Sequence, residues 1–300
     1  MKKIFAILLF LFFTNCYSAE TQKLTVLLDW FANPDHAPLF VAEQKGFFKA
    51  EGLDVSLIGP ADPSDPPKLV AAGKADIAIT YEPQFLMQVD QGLPLAFLGN
   101  LIDRPLTCLV VLKSSPIQKM SDLKNKKIGS SGGSVDTALL KIMLQHNGVN
   151  IHDVETINVH YNLTQSLLSQ KVDAVTGMMR NFELIQMELA GHPGLAFFPE
   201  DNGIPSYSEL IYVVNKNKLN DPRFKAFLLA VKQATDYLQK HPDECWGEFA
   251  KNHPELNNEL NRRAWFLTVA YFAKNPAMID DKKLLVFTKF MAENKLIRTK

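Results

Sequence analysis

Short apolar runs alternate with amphipathic stretches along most of this chain. Leu24 to Leu28 is an apolar run ending at Asp29-Trp30, and Asp54 to Ile58 is a second. Between them, a loop through Asn33-Pro34-Asp35-His36-Ala37-Pro38 leads into helical spacing from about Leu39 to Glu51, closed by Gly52. Strand, helix and strand with short links describe a βαβ unit in a parallel sheet. The pattern continues as a helix over 67–72 and a strand over 76–80. Beyond residue 108 it restarts, with strands over 109–113 and 127–129, a loop over Ser130 to Ser134 and a helix over 135–147 closed by Gly148. A helix over 163–170 and strands over 172–176 and 211–215 follow. From Asp221 the spacing is helical, with Phe224, Phe227, Leu228, Val231 and Leu238 on one face and Trp265, Phe266, Val269 and Phe272 on another. Leu284 to Asn294 is the last amphipathic helix.

Two segments correspond. Ala72-Gly73-Lys74-Ala75-Asp76 enters a strand followed by Tyr81-Glu82, and Ser169-Gln170-Lys171-Val172-Asp173 enters a strand followed by Arg180 to Glu183. Both read helix, Lys-x-Asp, buried strand, polar-aromatic cluster. The repeat predicts two α/β lobes, one combining 22–108 with 209–300 and the other holding 109–208. Crossing segments are expected near 107–113 and 207–213. In open α/β sheets, ligands bind at the carboxyl ends of strands. Tyr81-Glu82 and Asn181 to Glu183 would then face a shared cleft that closes by a hinge.

The N-terminus adds a destination. Lys2-Lys3, the apolar run Ile4 to Phe13 and the small residues ending at Ser18-Ala19 have the order of a secretory signal peptide over residues 1–19. The apolar run is about half of what spans a bilayer, so release into the periplasm is expected over a permanent anchor. Cys16 would be the site of a lipid anchor, but Phe13 and Asn15 suit such a cleavage site poorly. Lys+Arg and Asp+Glu are 32 each, so no net field favours nucleic acid or an anionic membrane. Cys108 and Cys245 are too few for a disulfide scaffold and read as buried thiols. The seven histidines show no metal spacing, and no hydrolase or phosphate-loop motif occurs. No metal, cofactor or catalytic group is expected.

Leu28-Asp29-Trp30-Phe31-Ala32-Asn33-Pro34-Asp35-His36-Ala37-Pro38, Lys45-Gly46-Phe47-Phe48, Glu51-Gly52-Leu53-Asp54-Val55 and Ala72-Gly73-Lys74-Ala75-Asp76 carry a resemblance to the thiamine-pyrimidine precursor family. It covers about residues 23 to 297. The Lys-Gly-Phe-Phe and Gly-Lys-x-Asp segments are shared with sulfonate and nitrate binding proteins and speak for fold alone. The Asp-Trp to Asp-His segment and Asn181-Phe182-Glu183 are more particular to the pyrimidine branch. The family contains periplasmic binding proteins that deliver formylaminopyrimidine or hydroxymethylpyrimidine to the permease of an ABC importer. It also contains fungal-type enzymes that build the pyrimidine from pyridoxal phosphate and a histidine of their own chain. The resemblance implies the two-lobed, hinge-closing (type II) periplasmic binding protein fold, with a parallel-dominated sheet in each lobe. Where the enzymes carry lysine and histidine, this chain has Thr80-Tyr81-Glu82-Pro83-Gln84-Phe85, and their cysteine-rich segment is replaced by Pro205 to Ile211. The binding branch fits better. The synthase and a sulfonate- or nitrate-type binding protein are the alternatives.

A flat aminopyrimidine needs aromatic faces, for which Trp30, Tyr81 and Tyr207 are candidates. Its ring nitrogen beside an exocyclic amine suits an amide and a carboxylate, supplied by Asn181 and Glu183, with Glu82 and Glu209 as alternates. Asn33 and Asp35 join the set from the first loop. His36 has two readings, orienting that loop or touching ligand. Ser130 to Ser134 either cap a helix or aim its amides at an anion or polar tail.

Overall fold

The computed structural model describes residues 21–298, so the leader expected over 1–19, with Cys16, lies outside the described residues. Two five-stranded sheets organise the chain. The first contains β1 (Gln22–Leu27), β2 (Leu53–Ile58), β3 (Ile77–Thr80), β4 (Leu95–Ile102) and β10 (Leu210–Asn215) in the order β2-β1-β3-β10-β4. The second contains β5 (Thr107–Leu112), β6 (Lys127–Ser130), β7 (Glu155–Asn158), β8 (Ala174–Met179) and β9 (Gly194–Phe197) in the order β7-β6-β8-β5-β9. In each sheet four strands run one way. The fifth, β10 or β5, is antiparallel to both neighbours. These two reversed strands are the ones that enter a sheet directly from the other lobe.

The internal repeat has a physical basis at its aspartates. Asp76 accepts a hydrogen bond from the Thr25 amide of β1 at 2.9 Å, and Asp173 accepts one from the Lys127 amide of β6 at 2.8 Å. Each aspartate backbone N–H donates in return to the carbonyl of the same partner. The Lys-x-Asp segment thus ties the start of one strand to its parallel neighbour, where a strand end would otherwise leave donors unpaired.

The helices are α1 (Ala37–Gln44), α2 (Phe47–Ala50), α3 (Pro66–Ala71), α4 (Glu82–Asp90), α5 (Ser134–His146), α6 (Leu163–Leu168), α7 (Glu183–Leu189), α8 (Pro222–Lys240), α9 (Pro242–Asn252), α10 (Glu259–Thr268) and α11 (Asp281–Glu293). The single helix expected over 39–51 is two. Gly46, at φ +72°, breaks it in a conformation that favours glycine. Strands β4, β7 and β9 and helices α4 and α7 had no counterpart in the sequence reading. In α4, Pro83 and acidic Glu82 open the first turn, which is a helix-start signature.

Helices α8 to α10 pack on the first sheet, where Phe224, Phe227, Phe249 and Trp265 join Leu24, Val26, Ile77 and Tyr212 in one core. The last helix departs from the expected lobe. Segment 269–280 runs beside β4, with the Ala273 amide donating to Leu101 O and the Asn100 amide to Pro276 O. Phe287 and Met291 of α11 then enter the second core with Leu109, Met120 and Tyr207. Amphipathic spacing tells which face of a helix is buried, not which core receives it. Cys108 and Cys245 are free, buried and in different cores.

Candidate functional site

A cavity of about 340 Å³ opens between the two sheets at the carboxyl ends of their parallel strands. Asp29, Trp30, Asn33 and Asp35 reach it from beyond β1, and Tyr81 from beyond β3. Ser131, Gly132 and Asp136 enter from beyond β6, and Met179, Phe182 and Glu183 from the end of β8. Its size suits a small heterocycle.

The first wall is built around Asp29, whose two oxygens are both held. His36 Nε2 lies 2.9 Å from Oδ1, and the Tyr81 hydroxyl donates to Oδ2 at 2.8 Å. The Asn33 amide points at His36 Nδ1 at 3.4 Å, which leaves the ring proton on Nε2, facing Asp29. His36 is fully buried and does not line the cavity, so it orients Asp29 rather than reaching a ligand. Asn33 caps the turn that follows, its side-chain oxygen accepting from the Asp35 amide at 2.7 Å.

Asp35 joins the lobes. Its Oδ1 accepts from Asn181 Nδ2 at 2.5 Å and from the Thr268 hydroxyl at 3.2 Å. Burial pushes the Asp35 carboxyl up to about 6, although His36 and the Asn181 bond pull the other way. Asn181 is buried behind this contact and does not face the cavity. It positions Asp35, a different task from pairing with Glu183 on a ligand edge.

Glu183 opens α7 at the cavity wall. One oxygen accepts from the Met179 amide at 2.6 Å, and the other has no hydrogen-bond partner among the described residues. Burial pushes its carboxyl up to about 7, the Met179 bond opposes this, and nearby Asp35 adds to it. A carboxyl poised near neutrality beside a cavity both donates and accepts.

Glu82 and Glu209, aligned by type with Glu183, are committed elsewhere. Glu82 accepts from the Ser208 amide at 2.6 Å and does not line the cavity. Glu209 lines it, yet accepts from the amides of Leu106 and Thr107 at 2.5 and 2.8 Å and from the Thr107 hydroxyl at 2.6 Å. Those bonds join the two crossing segments, 103–106 and 198–209. Burial raises both carboxyls. Tyr207 lines the cavity with its ring against Phe287, centroids 5.0 Å apart.

At the cavity edge, Tyr161 of the second lobe meets Trp30 and Phe31 of the first, with ring centroids 4.5 and 4.4 Å apart. Its hydroxyl donates to Pro60 O at 3.3 Å. Sequence reasoning missed Tyr161, Asp136 and the central position of Asp29. Asp136 had a usable signal, an acid in the first turn of the helix after Ser130 to Ser134. Tyr161 had none, because its partners belong to the other half of the repeat. Among the described residues, no group of three or more His, Cys, Asp or Glu side chains is arranged to hold a metal ion.

The family described as NMT1/THI5 like matches residues 33–245. A Haemophilus influenzae protein named for thiamine biosynthesis is 48% identical over 281 residues, covering 93% of this chain and 90% of its own. A 4-amino-5-hydroxymethyl-2-methylpyrimidine phosphate synthase of Saccharomyces cerevisiae is 31% identical, covering 91% and 84%. The formylaminopyrimidine-binding protein of Halalkalibacterium halodurans is 30% identical, covering 86% and 81%. Among solved structures, the alkanesulfonate-binding protein of Xanthomonas axonopodis superposes with a TM-score of 0.73 at 14% identity, covering 94% of this chain and 96% of that one. That likeness is one of fold: the two α/β lobes form the periplasmic binding protein architecture expected from the sequence.

Proposed function

This chain belongs to the NMT1/THI5-like family, and we propose that within it the protein is the solute-capturing component of an ABC importer for a thiamine pyrimidine precursor, formylaminopyrimidine or hydroxymethylpyrimidine. It works in the periplasm after loss of its leader, its lobes join through segments 103–106 and 198–209 and not within 107–113 as expected, and the closed form is what the permease recognises. No bond is made or broken. Trp30, Tyr81 and Tyr207 offer aromatic surface to the ring. Glu183 meets the edge where a ring nitrogen adjoins the exocyclic amine, and Asp35 and Asn33 flank it.

The observation that carries this reading is the uncommitted oxygen of Glu183, facing the cavity beside aromatic walls. An aminopyrimidine edge needs an acceptor for its amine and a proton for its ring nitrogen, and a carboxyl near neutrality serves either need. The synthase alternative needs an amine and an imidazole facing the ligand. Among the described residues Lys68 is the one lysine lining the cavity, its ammonium bonded to Ser64 and Asp65, and His36 is turned away behind Asp29.

Mass spectrometry of small molecules that copurify, followed by calorimetry with both pyrimidines, tests the proposal. One of them is expected to bind, with no absorbance from an aldimine when pyridoxal phosphate is added. Capture of an alkanesulfonate but neither pyrimidine, or pyrimidine formed from pyridoxal phosphate, would overturn it. In the same assay Tyr161→Ala is expected to weaken binding by roughly 5- to 100-fold, the loss of its two aromatic pairs across the closed edge at ~0.5–1.5 kcal/mol each. An unchanged affinity would show that this contact does not hold the lobes shut.

A further inference from the structure

The cavity carries a second, unassigned carboxylate whose placement speaks to which precursor enters. Loop 130–133 leads into α5, a 13-residue helix whose start lines this side of the cavity. A helix start favours an anion. Here no side chain caps that start, and the chain places a carboxylate of its own, Asp136, in the first turn. Asp136 folds back so that one oxygen accepts from the Ser131 hydroxyl at 2.7 Å and from the Ser131 amide at 3.3 Å. Gly177 of β8 closes on the other oxygen, and a Cβ built there would lie 3.0 Å from it. Asp136 is therefore seated between the loop and the sheet, and it lines the cavity.

The remaining charges agree. Asp29, Asp35, Asp62, Glu183 and Glu209 also line the cavity, against one lysine among the described residues, Lys68, which is bonded to Ser64 and Asp65. A phosphate monoester carries about −1.5 to −2 at pH 7 and needs donors to replace its hydration. It would meet carboxyl groups, with the loop's Ser131 amide and hydroxyl already taken.

We infer that Asp136 is a specificity-determining residue that restricts the protein to unphosphorylated pyrimidines, by holding a carboxylate on the cavity wall in the first turn of α5, where a phosphate ester would otherwise find the helix start. This rests on the aminopyrimidine reading above. The chain's synthase relatives are named for a phosphorylated pyrimidine; this cavity takes the free alcohol and refuses that ester. The same seat explains why Ser130 to Ser134, legible as a possible anion loop, need not be one.

Calorimetry of the mature protein with 4-amino-5-hydroxymethyl-2-methylpyrimidine and with its phosphate ester at pH 7.5 tests the inference. The alcohol is expected to bind at least ~100-fold tighter, about 2.8 kcal/mol. Asp136→Asn keeps the side-chain size and an acceptor for Ser131 but removes the negative charge, and is expected to narrow the ratio to below ~10-fold by strengthening the ester. A merely structural role for Asp136 would weaken both ligands together and leave the ratio where it was, which would count against the inference. If melting curves show that the asparagine variant does not fold, Asp136→Ala carries the same comparison of the two ligands. Ester binding within tenfold of the alcohol in the wild type overturns this inference and leaves the proposed function standing. Binding of neither compound, nor of formylaminopyrimidine, overturns both.

Discussion

Glu183→Ala is expected to weaken aminopyrimidine capture by roughly 10- to 100-fold, the span of one charge-assisted hydrogen bond at ~1.5–3 kcal/mol. The free oxygen of Glu183 is the only part of that carboxyl not spent on the protein, since the other accepts from the Met179 amide. Alanine removes both, so it also leaves a buried amide without its acceptor. Glu183→Gln separates the two effects. It keeps an acceptor for Met179 and so preserves the fold, but it cannot trade a proton with a ring nitrogen. The glutamine variant should melt close to wild type and still bind more weakly. Calorimetry and melting curves on the same preparations check this. An alanine variant within threefold of wild-type affinity would remove Glu183 from the site.

The ligand-free protein is expected to be more stable at pH 5 than at pH 7.5. Burial raises Glu183 from an ordinary 4.5 to about 7, and Asp35 and Asp136 from 3.8 to about 6. Each group holds its proton more tightly folded than unfolded. Through the window from about pH 4 to 7 the folded state therefore carries more protons, and stability falls as pH rises. The contribution is complete below the ordinary carboxyl values and gone once pH passes the raised ones. For Glu183 alone it is on the order of 3 kcal/mol before any relief from water in the open cavity. That corresponds to a melting temperature lower by about 5 °C or more at pH 7.5. The carboxyls of Asp62 and Asp221 are shifted downward, so they titrate below this window and do not mask it. The comparison is with Glu183→Gln, which removes this one group and leaves every other in place. Scanning calorimetry should show a flatter profile for that variant. Identical profiles would mean that Glu183 does not carry the proton.

The parts of the fold legible in the sequence were those with local causes. Apolar runs gave β1, β2, β3 and β10 to within a residue or two, and Lys-x-Asp marked the repeat because the aspartate has the same bonding duty in both halves. What escaped were elements defined by their neighbours. β9 is four residues with none fully buried, and its pairing with β5 makes it a strand. At the site, residue type was legible and commitment was not. Glu82 and Glu183 occupy matching places, each opening a helix and each accepting a backbone amide. Only Glu183 faces the cavity, because the amide Glu82 receives belongs to Ser208 in the crossing segment. Asn181 likewise has the chemistry for a ligand edge, but Asp35 from the other lobe takes its amide.

Sheet order also fixes a timetable. β4 touches the first sheet only through β10, so residues 95–102 have no strand partner there until residue 210 has been made. All five strands of the second sheet lie within one unbroken stretch, 107–197. The sheet that appears later along the chain is thus the one whose strands can all pair first, although its core still awaits Phe287 and Met291 of α11. The earlier half waits, with the edge of β3 unpaired, for a segment that arrives after the whole second sheet. Contacts that span so much sequence are slow to form and leave strand edges open to other chains meanwhile. A helper that shields the β3 edge during this interval would protect yield without touching the native state.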